Sequence, residues 1–181
     1  MKISRTQDFQ PNYTHKFFFD SNVWLFLLYP QFNETTKSHI RKYSNFFDRI
    51  LGKECLLVTN PIQISEMINV ILSHELRLAR RQGVATDLKS YRKTSEGKTS
   101  MGVAKTFTEQ VLKFATLKSG IFGQQELKNL VTLCDTADFN DLFFGEFCKK
   151  EDCILVTHDY DFQEVPDLEL ELVSANWRYF S

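Results

Sequence analysis

Four acids in this chain each interrupt or border an apolar run: Asp20 in FFFDSNVWLFLL, Glu66 in SEMINVIL, Asp141 in DFNDLFFGEF and Asp159 in ILVTHDYDF. Such neighbours hold a carboxylate at the rim of a core, where a charge without a partner is costly. If the fold gathers the four, their repulsion is severe, because two unit charges about 4 Å apart at an effective dielectric near 20 interact by roughly 4 kcal/mol. Protonation through raised pKa values is one remedy and a bound divalent cation is the other. Oxygen-only donors suit magnesium or manganese better than zinc. No His and Cys pairs stand at zinc spacing, and His158 beside Asp159 reads as a rim or packing residue. Asp138, one turn before Asp141, reads as a favourable charge near a helix N-terminus after a Thr136 cap.

The elements that must position these acids follow from the hydrophobic pattern. Phe17 to Phe19 is a short apolar run of the kind a strand buried on both faces shows, and Val23 to Leu28 begins a helix, so Asp20 falls at the junction. From Thr35 to Leu51 the apolar residues Ile40, Tyr43, Phe46, Phe47 and Ile50 recur at helical spacing, with Gly52 as a glycine stop. Cys55 to Val58 predicts a second buried strand. Asn60 and Pro61 then supply an N-cap and a first-turn proline for a largely buried helix from Ile62 to about Ala79, which carries Glu66.

Gln82 to Gly102 is polar, basic and punctuated by glycine, and is expected to form a flexible loop or arm. Phe107 to Leu117 resumes a helical pattern, Gln124 to Leu133 is a short helix or a helix-strand transition, and Ala137 to about Lys150 is a helix. Ile154 to Thr157 reads as a buried strand. The alternating LELELV, Leu168 to Val173, reads as a half-exposed edge strand. Strands alternating with helices predict an α/β fold, a three-layer α/β/α sandwich with a mainly parallel central sheet. In such folds the ligand crevice lies beyond the carboxyl ends of the strands, so Asp20 and Asp159 would share it.

At 181 residues with 43% hydrophobic content, a single domain over 1–181 is the expectation. The apolar run around Asp20 is too short, and too interrupted, for a membrane span. No secretory pattern stands at the N-terminus, and the chain reads as cytoplasmic. Cys55, Cys134, Cys148 and Cys153 have neither CxxC spacing nor scaffold density, so they read as reduced, buried small hydrophobes. The net charge of -1 hides an asymmetry: Arg77 to Lys105 is basic, whereas Cys134 to Glu171 is rich in Asp and Glu. A nucleic-acid ligand beside a metal-binding acid cluster would account for both; a solvated helix face would account for the bases alone.

The blocks FFFDSNVWLFLL, SEMINVIL and DFNDLFFGEFCKKEDCILVTHDYDF, in this order and at this spacing, resemble a PIN-domain nuclease, in particular the ribonuclease toxins of bacterial toxin-antitoxin pairs. The resemblance covers nearly the whole chain. It implies that Asp20, Glu66, Asp141 and Asp159 form the catalytic acidic set that binds Mg2+ or Mn2+, with Asp138 and Asp161 as auxiliaries. Asn22 and Thr157 would support the carboxylates by hydrogen bonds. The implied activity is metal-dependent endoribonuclease hydrolysis of RNA phosphodiester bonds. The implied partners are an RNA substrate, with an antitoxin protein and a homodimer also compatible. Arg92, Lys93 and Lys98, in the basic segment at about 82–102, are the candidate RNA-backbone contacts.

Three other readings compete. A response-regulator receiver domain needs a phosphoacceptor Asp after a middle strand, where CLLVTNP offers Asn60. A phosphatase of the haloacid dehalogenase type needs a second Asp two places after Asp20, where Asn22 stands. A catalytically inactive PIN-like module that binds RNA or protein keeps the fold and the acids without the cleavage. Trp24 and Trp177 are expected in the core or at a partner interface rather than as base-stacking platforms.

Overall fold

The computed structural model describes residues 1–29 and 37–181. Six parallel strands form one sheet: β1 (Lys2–Arg5), β2 (Lys16–Phe19), β3 (Leu56–Thr59), β4 (Thr116–Leu117), β5 (Ile154–Val156) and β6 (Glu171–Ser174), in the spatial order β1-β6-β5-β2-β3-β4. Among the described residues seven α-helices cover its two faces: α1 (Ser21–Leu28), α2 (Lys37–Gly52), α3 (Pro61–Arg81), α4 (Leu88–Tyr91), α5 (Ser95–Phe114), α6 (Gln124–Thr132) and α7 (Phe139–Glu151). The result is a three-layer α/β/α sandwich.

Central β2 shows why its sequence is KFFF. Phe17 and Phe19 point to one face and enter a core with Trp24, Phe46, Met67, Ile71 and Phe107 from α1, α2, α3 and α5. Phe18 points to the other face and meets Leu142, Phe144 and Phe147 of α7. A parallel strand flanked by β3 and β5 and covered on both faces has no solvent side, so every residue after Lys16 is apolar. Replacing any of the three phenylalanines by alanine would cost about 3–5 kcal/mol.

Several expected elements are corrected. The helix start expected at Thr35 lies outside the described residues. α2 does end at Gly52, but the left-handed residue that closes it is Glu54 (φ 54°), two places on, while Cys55 N–H reaches back to the Ile50 carbonyl. α7 ends the same way, with Asp152 at φ 53° and Cys153 N–H on the Cys148 carbonyl. This is the closure in which an amide just past the helix caps a carbonyl five residues back. LELELV is not an edge strand, because β1 pairs outside β6; the polar KISR of β1 carries no alternation that would reveal it.

The expected loop at about 82–102 is helical over most of its length. Asp87 caps α4 by accepting from Ser90 N–H, and Thr94 caps α5 by accepting from Gly97 N–H. Gly97 is there for close approach, since a Cβ would lie 1.9 Å from the Tyr91 carbonyl oxygen. The buried Tyr91 hydroxyl bonds Ser100 Oγ at 2.8 Å. A glycine that admits neighbouring backbone looks in sequence like one that breaks a helix. Of the cysteines, Cys55, Cys148 and Cys153 are buried, whereas Cys134 is exposed; none of them forms a disulfide. Trp24 is in the core and Trp177 is on the surface. No described helix is long and apolar enough to cross a membrane.

Candidate functional site

Strand order reverses between β2 and β5. The chain leaves β2 towards β3 on one side and leaves β5 towards β6 on the other, which opens a crevice at their carboxyl ends. Asp20 stands in it directly after Phe19. It is the N-cap of α1, and its Oδ1 accepts from Ser21 N–H at 2.6 Å. Cap geometry therefore aims this carboxylate. Its Oδ2 accepts from Thr157 Oγ1 at 2.7 Å and from Asn22 Nδ2 at 2.5 Å.

Thr157 ties the two strand ends together. Its hydroxyl donates to Asp20 and accepts from Asp159 N–H at 2.9 Å. Asn22 spans the same gap, accepting from His158 N–H at 3.2 Å through Oδ1. Asp159 Oδ1 in turn accepts from Asp161 N–H at 3.1 Å, while Asp161 itself lies exposed at the start of a short 3-10 turn, Asp161–Glu164.

Glu66 arrives from α3, whose N-terminus is set by Asn60 capping Gln63 N–H and by Pro61 in the first turn. Its Oε2 accepts from Ser21 Oγ at 2.7 Å, and Asn140 also hydrogen-bonds its carboxyl. Asp138 is itself the N-cap of α7, accepting from Asn140 N–H at 2.8 Å, which corrects the expected Thr136 cap. Asp141, in the first turn of α7, is half-buried.

These carboxylates feel one another. Burial pushes Asp20 up to about 7, with Glu66 and Asp159 adding repulsion against the stabilising Thr157 hydroxyl and Ser21 amide. Burial likewise raises Asp141 to about 8, and repulsion from Asp20, Asp159, Asp138 and Glu66 adds to it. Glu66 is raised by burial first and then by Asp138 and Asp159. Among the described residues no Lys, Arg or His forms an ion pair with any of these acids. Burial and the neighbouring His39 lower His158 to about 4, so its imidazole is neutral. It packs against Phe26, Tyr43 and His39.

Comparison with known proteins gives no guide to this crevice. No family model matches the chain, and no curated protein matches it.

The sequence reading missed several residues that hold the site. Three consecutive carbonyls of the β5 turn are each fixed from elsewhere: Thr157 O by Tyr43 Oη at 2.9 Å, His158 O by Asn176 Nδ2 at 2.8 Å, and Asp159 O by the Tyr179 hydroxyl. No local pattern marks Tyr43, Asn176 or Tyr179, since each works from a different element. Ser21 and Asn140, by contrast, lie inside the quoted motifs DSN and DFND. Arg92, Lys93 and Lys98 are exposed, and none is bonded to a residue of the crevice.

By donor chemistry the crevice fits a hard divalent cation: its acids are oxygen donors, repel one another and have no basic counter-charge among the described residues. As they stand, no three or more His, Cys, Asp or Glu side chains among the described residues are arranged to hold one ion. Asp20 is fixed by three hydrogen bonds, but among the described residues no hydrogen bond holds the Asp141 carboxyl.

Proposed function

We propose that the protein is a cytoplasmic, metal-dependent endoribonuclease of the PIN-domain kind, cleaving RNA phosphodiester bonds in the crevice between the ends of β2 and β5. One observation carries this reading. Asp20 and Asp141 are raised to about 7 and about 8 by burial and by neighbouring acids, with no basic partner among the described residues. Perturbed acids clustered in a crevice mark functional sites more often than structural ones.

Asp20, Glu66, Asp141 and Asp159 would hold Mg2+ or Mn2+, which supplies Lewis-acid polarisation of a phosphate oxygen and lowers the pKa of water. Thr157 keeps Asp20 and the Asp159 backbone in fixed relation, and Asn22 ties Asp20 to the His158 N–H beside it. Ser21 aims Glu66. Near neutral pH the Asp141 carboxyl carries a proton for much of the time and releases it when positive charge enters the crevice. Asp161 and Asp138 serve as turn and cap, and so act on the site through the backbone.

The test pairs calorimetric titration of manganese with cleavage of mixed RNAs, comparing wild type with Asp20→Asn. Manganese binding and cleavage, both lost in the variant, are the expected result; neither binding nor cleavage in wild type overturns the proposal. A second reading, a PIN-like module that binds RNA or protein without cutting, draws on the open arrangement of the acids. Manganese binding without cleavage favours it. A role as the toxin of a toxin-antitoxin pair belongs to the nuclease reading, and predicts growth arrest on expression that Asp20→Asn relieves.

A further inference from the structure

A groove of about 600 Å³ leads away from the acids along α3. Glu66 and Asn140 stand at one end, Asn69 and Ser73 follow along it, and Arg77 and Arg80 line the other end. The spacing keeps these α3 residues on one helix face. At 1.5 Å of rise per residue, Arg77 and Arg80 lie about 16 and 21 Å along the axis from Glu66. Neither arginine forms an ion pair among the described residues. Arg80 Nε donates to the Thr86 carbonyl at 2.8 Å, which anchors the guanidinium and leaves its terminal nitrogens available.

We propose that this groove is the track for a single-stranded RNA flank, with Arg77 and Arg80 holding backbone phosphates and Asn69 and Ser73 meeting sugar or base edges on the way to the acids. The inference deepens the nuclease reading and rests on it for the identity of the acid end as the cutting site. The charge layout supplies the logic. A strand whose phosphate enters an acidic crevice is repelled there, and fixed cations a few nucleotides away retain it without weakening the acids' hold on a cation. Guanidinium forks suit phosphate oxygens, and a mixed groove wall, with Asn69 and Ser73 beside Val70 and His74, suits the polar edges and flat faces of unpaired nucleotides. The bases chosen from sequence, Arg92, Lys93 and Lys98, do not line this groove.

The experiment measures binding of a fluorescent ten-nucleotide, mixed-sequence RNA to the full chain in chelator, so that nothing is cut, across a series of salt concentrations. Arg77→Gln/Arg80→Gln is compared with wild type and with Lys53→Gln/Lys128→Gln, which removes the same charge from exposed positions outside the groove. Thermal melts confirm that all three are folded. The expected result is at least about tenfold weaker binding for the arginine variant near 0.1 M salt. The slope of log K against log salt becomes shallower by about 1.4, two contacts at about 0.7 each for single strands. The lysine variant keeps the wild-type slope. An unchanged slope in the arginine variant, or an equal loss in the lysine variant, overturns the track. A parallel cleavage assay with manganese separates the two proposals. Cutting by wild type with no arginine dependence removes the track alone, whereas arginine-dependent binding without cutting removes the nuclease reading and leaves the track.

Discussion

The two halves of the acidic crevice are built differently. Asp20 and Asp159 sit at the ends of adjacent strands and are over-determined: one is bonded by Ser21, Asn22 and Thr157, and the other belongs to a turn whose three carbonyls, its own included, are pinned by Tyr43, Asn176 and Tyr179. Glu66 and Asp141 come from helices, with Ser21 and Asn140 on the former and, among the described residues, no hydrogen bond on the carboxyl of the latter. The strand half is therefore a fixed template, and the helix half can adjust to a ligand. Preorganised groups carry electrostatic work at low reorganisation cost, so the strand half should be the less tolerant of change.

Substitution within the strand half should give the largest effects. Asp20→Asn keeps the shape, loses the charge and should lower kcat on RNA by on the order of 10³, as measured in single-turnover cleavage. Thr157→Val removes the hydroxyl that couples Asp20 to Asp159, and should weaken manganese binding about 10–100-fold by calorimetry. If Glu66→Gln proves more damaging than Asp20→Asn, the assignment of template and adjustable half is reversed. Tyr43→Phe leaves the Thr157 carbonyl and Ala175 N–H without a buried partner. It should cost about 1–3 kcal/mol in urea denaturation. Smallest of all, Arg92→Gln, Lys93→Gln and Lys98→Gln should each change stability by less than about 0.5 kcal/mol, because these exposed side chains lie away from both halves.

The same division explains what could be read from the sequence. The strand half is local: FFF before Asp20 and ILVT before Asp159 announce buried strands, and an acid after a parallel strand must enter the crevice. Asn60 and Pro61 announce the start of α3 just as plainly. No local pattern marks Tyr43 and Asn176, because their partners lie 114 and 18 residues away along the chain, beyond any periodicity. β1 was hidden because a four-residue polar strand pairing outside β6 leaves no pattern. The helical segment around Gly97 was misread because its packing against Tyr91, not its composition, decides its conformation.

The central claim is that a divalent cation neutralises acids the fold has forced together, and Asp141 reports it through the pH dependence of stability. Its pKa, raised from 3.8 to about 8, means that the folded chain holds this proton more tightly than the unfolded one. The stabilisation is complete below the unfolded value and is lost as pH rises through about 8. Melting temperatures of wild type and Asp141→Asn should be measured from pH 4 to pH 9 with and without manganese. Without metal, wild type should lose stability relative to the variant as pH rises. Manganese should restore wild type at pH 8 and do far less for the variant. Parallel pH profiles together with no manganese-induced shift would contradict the account.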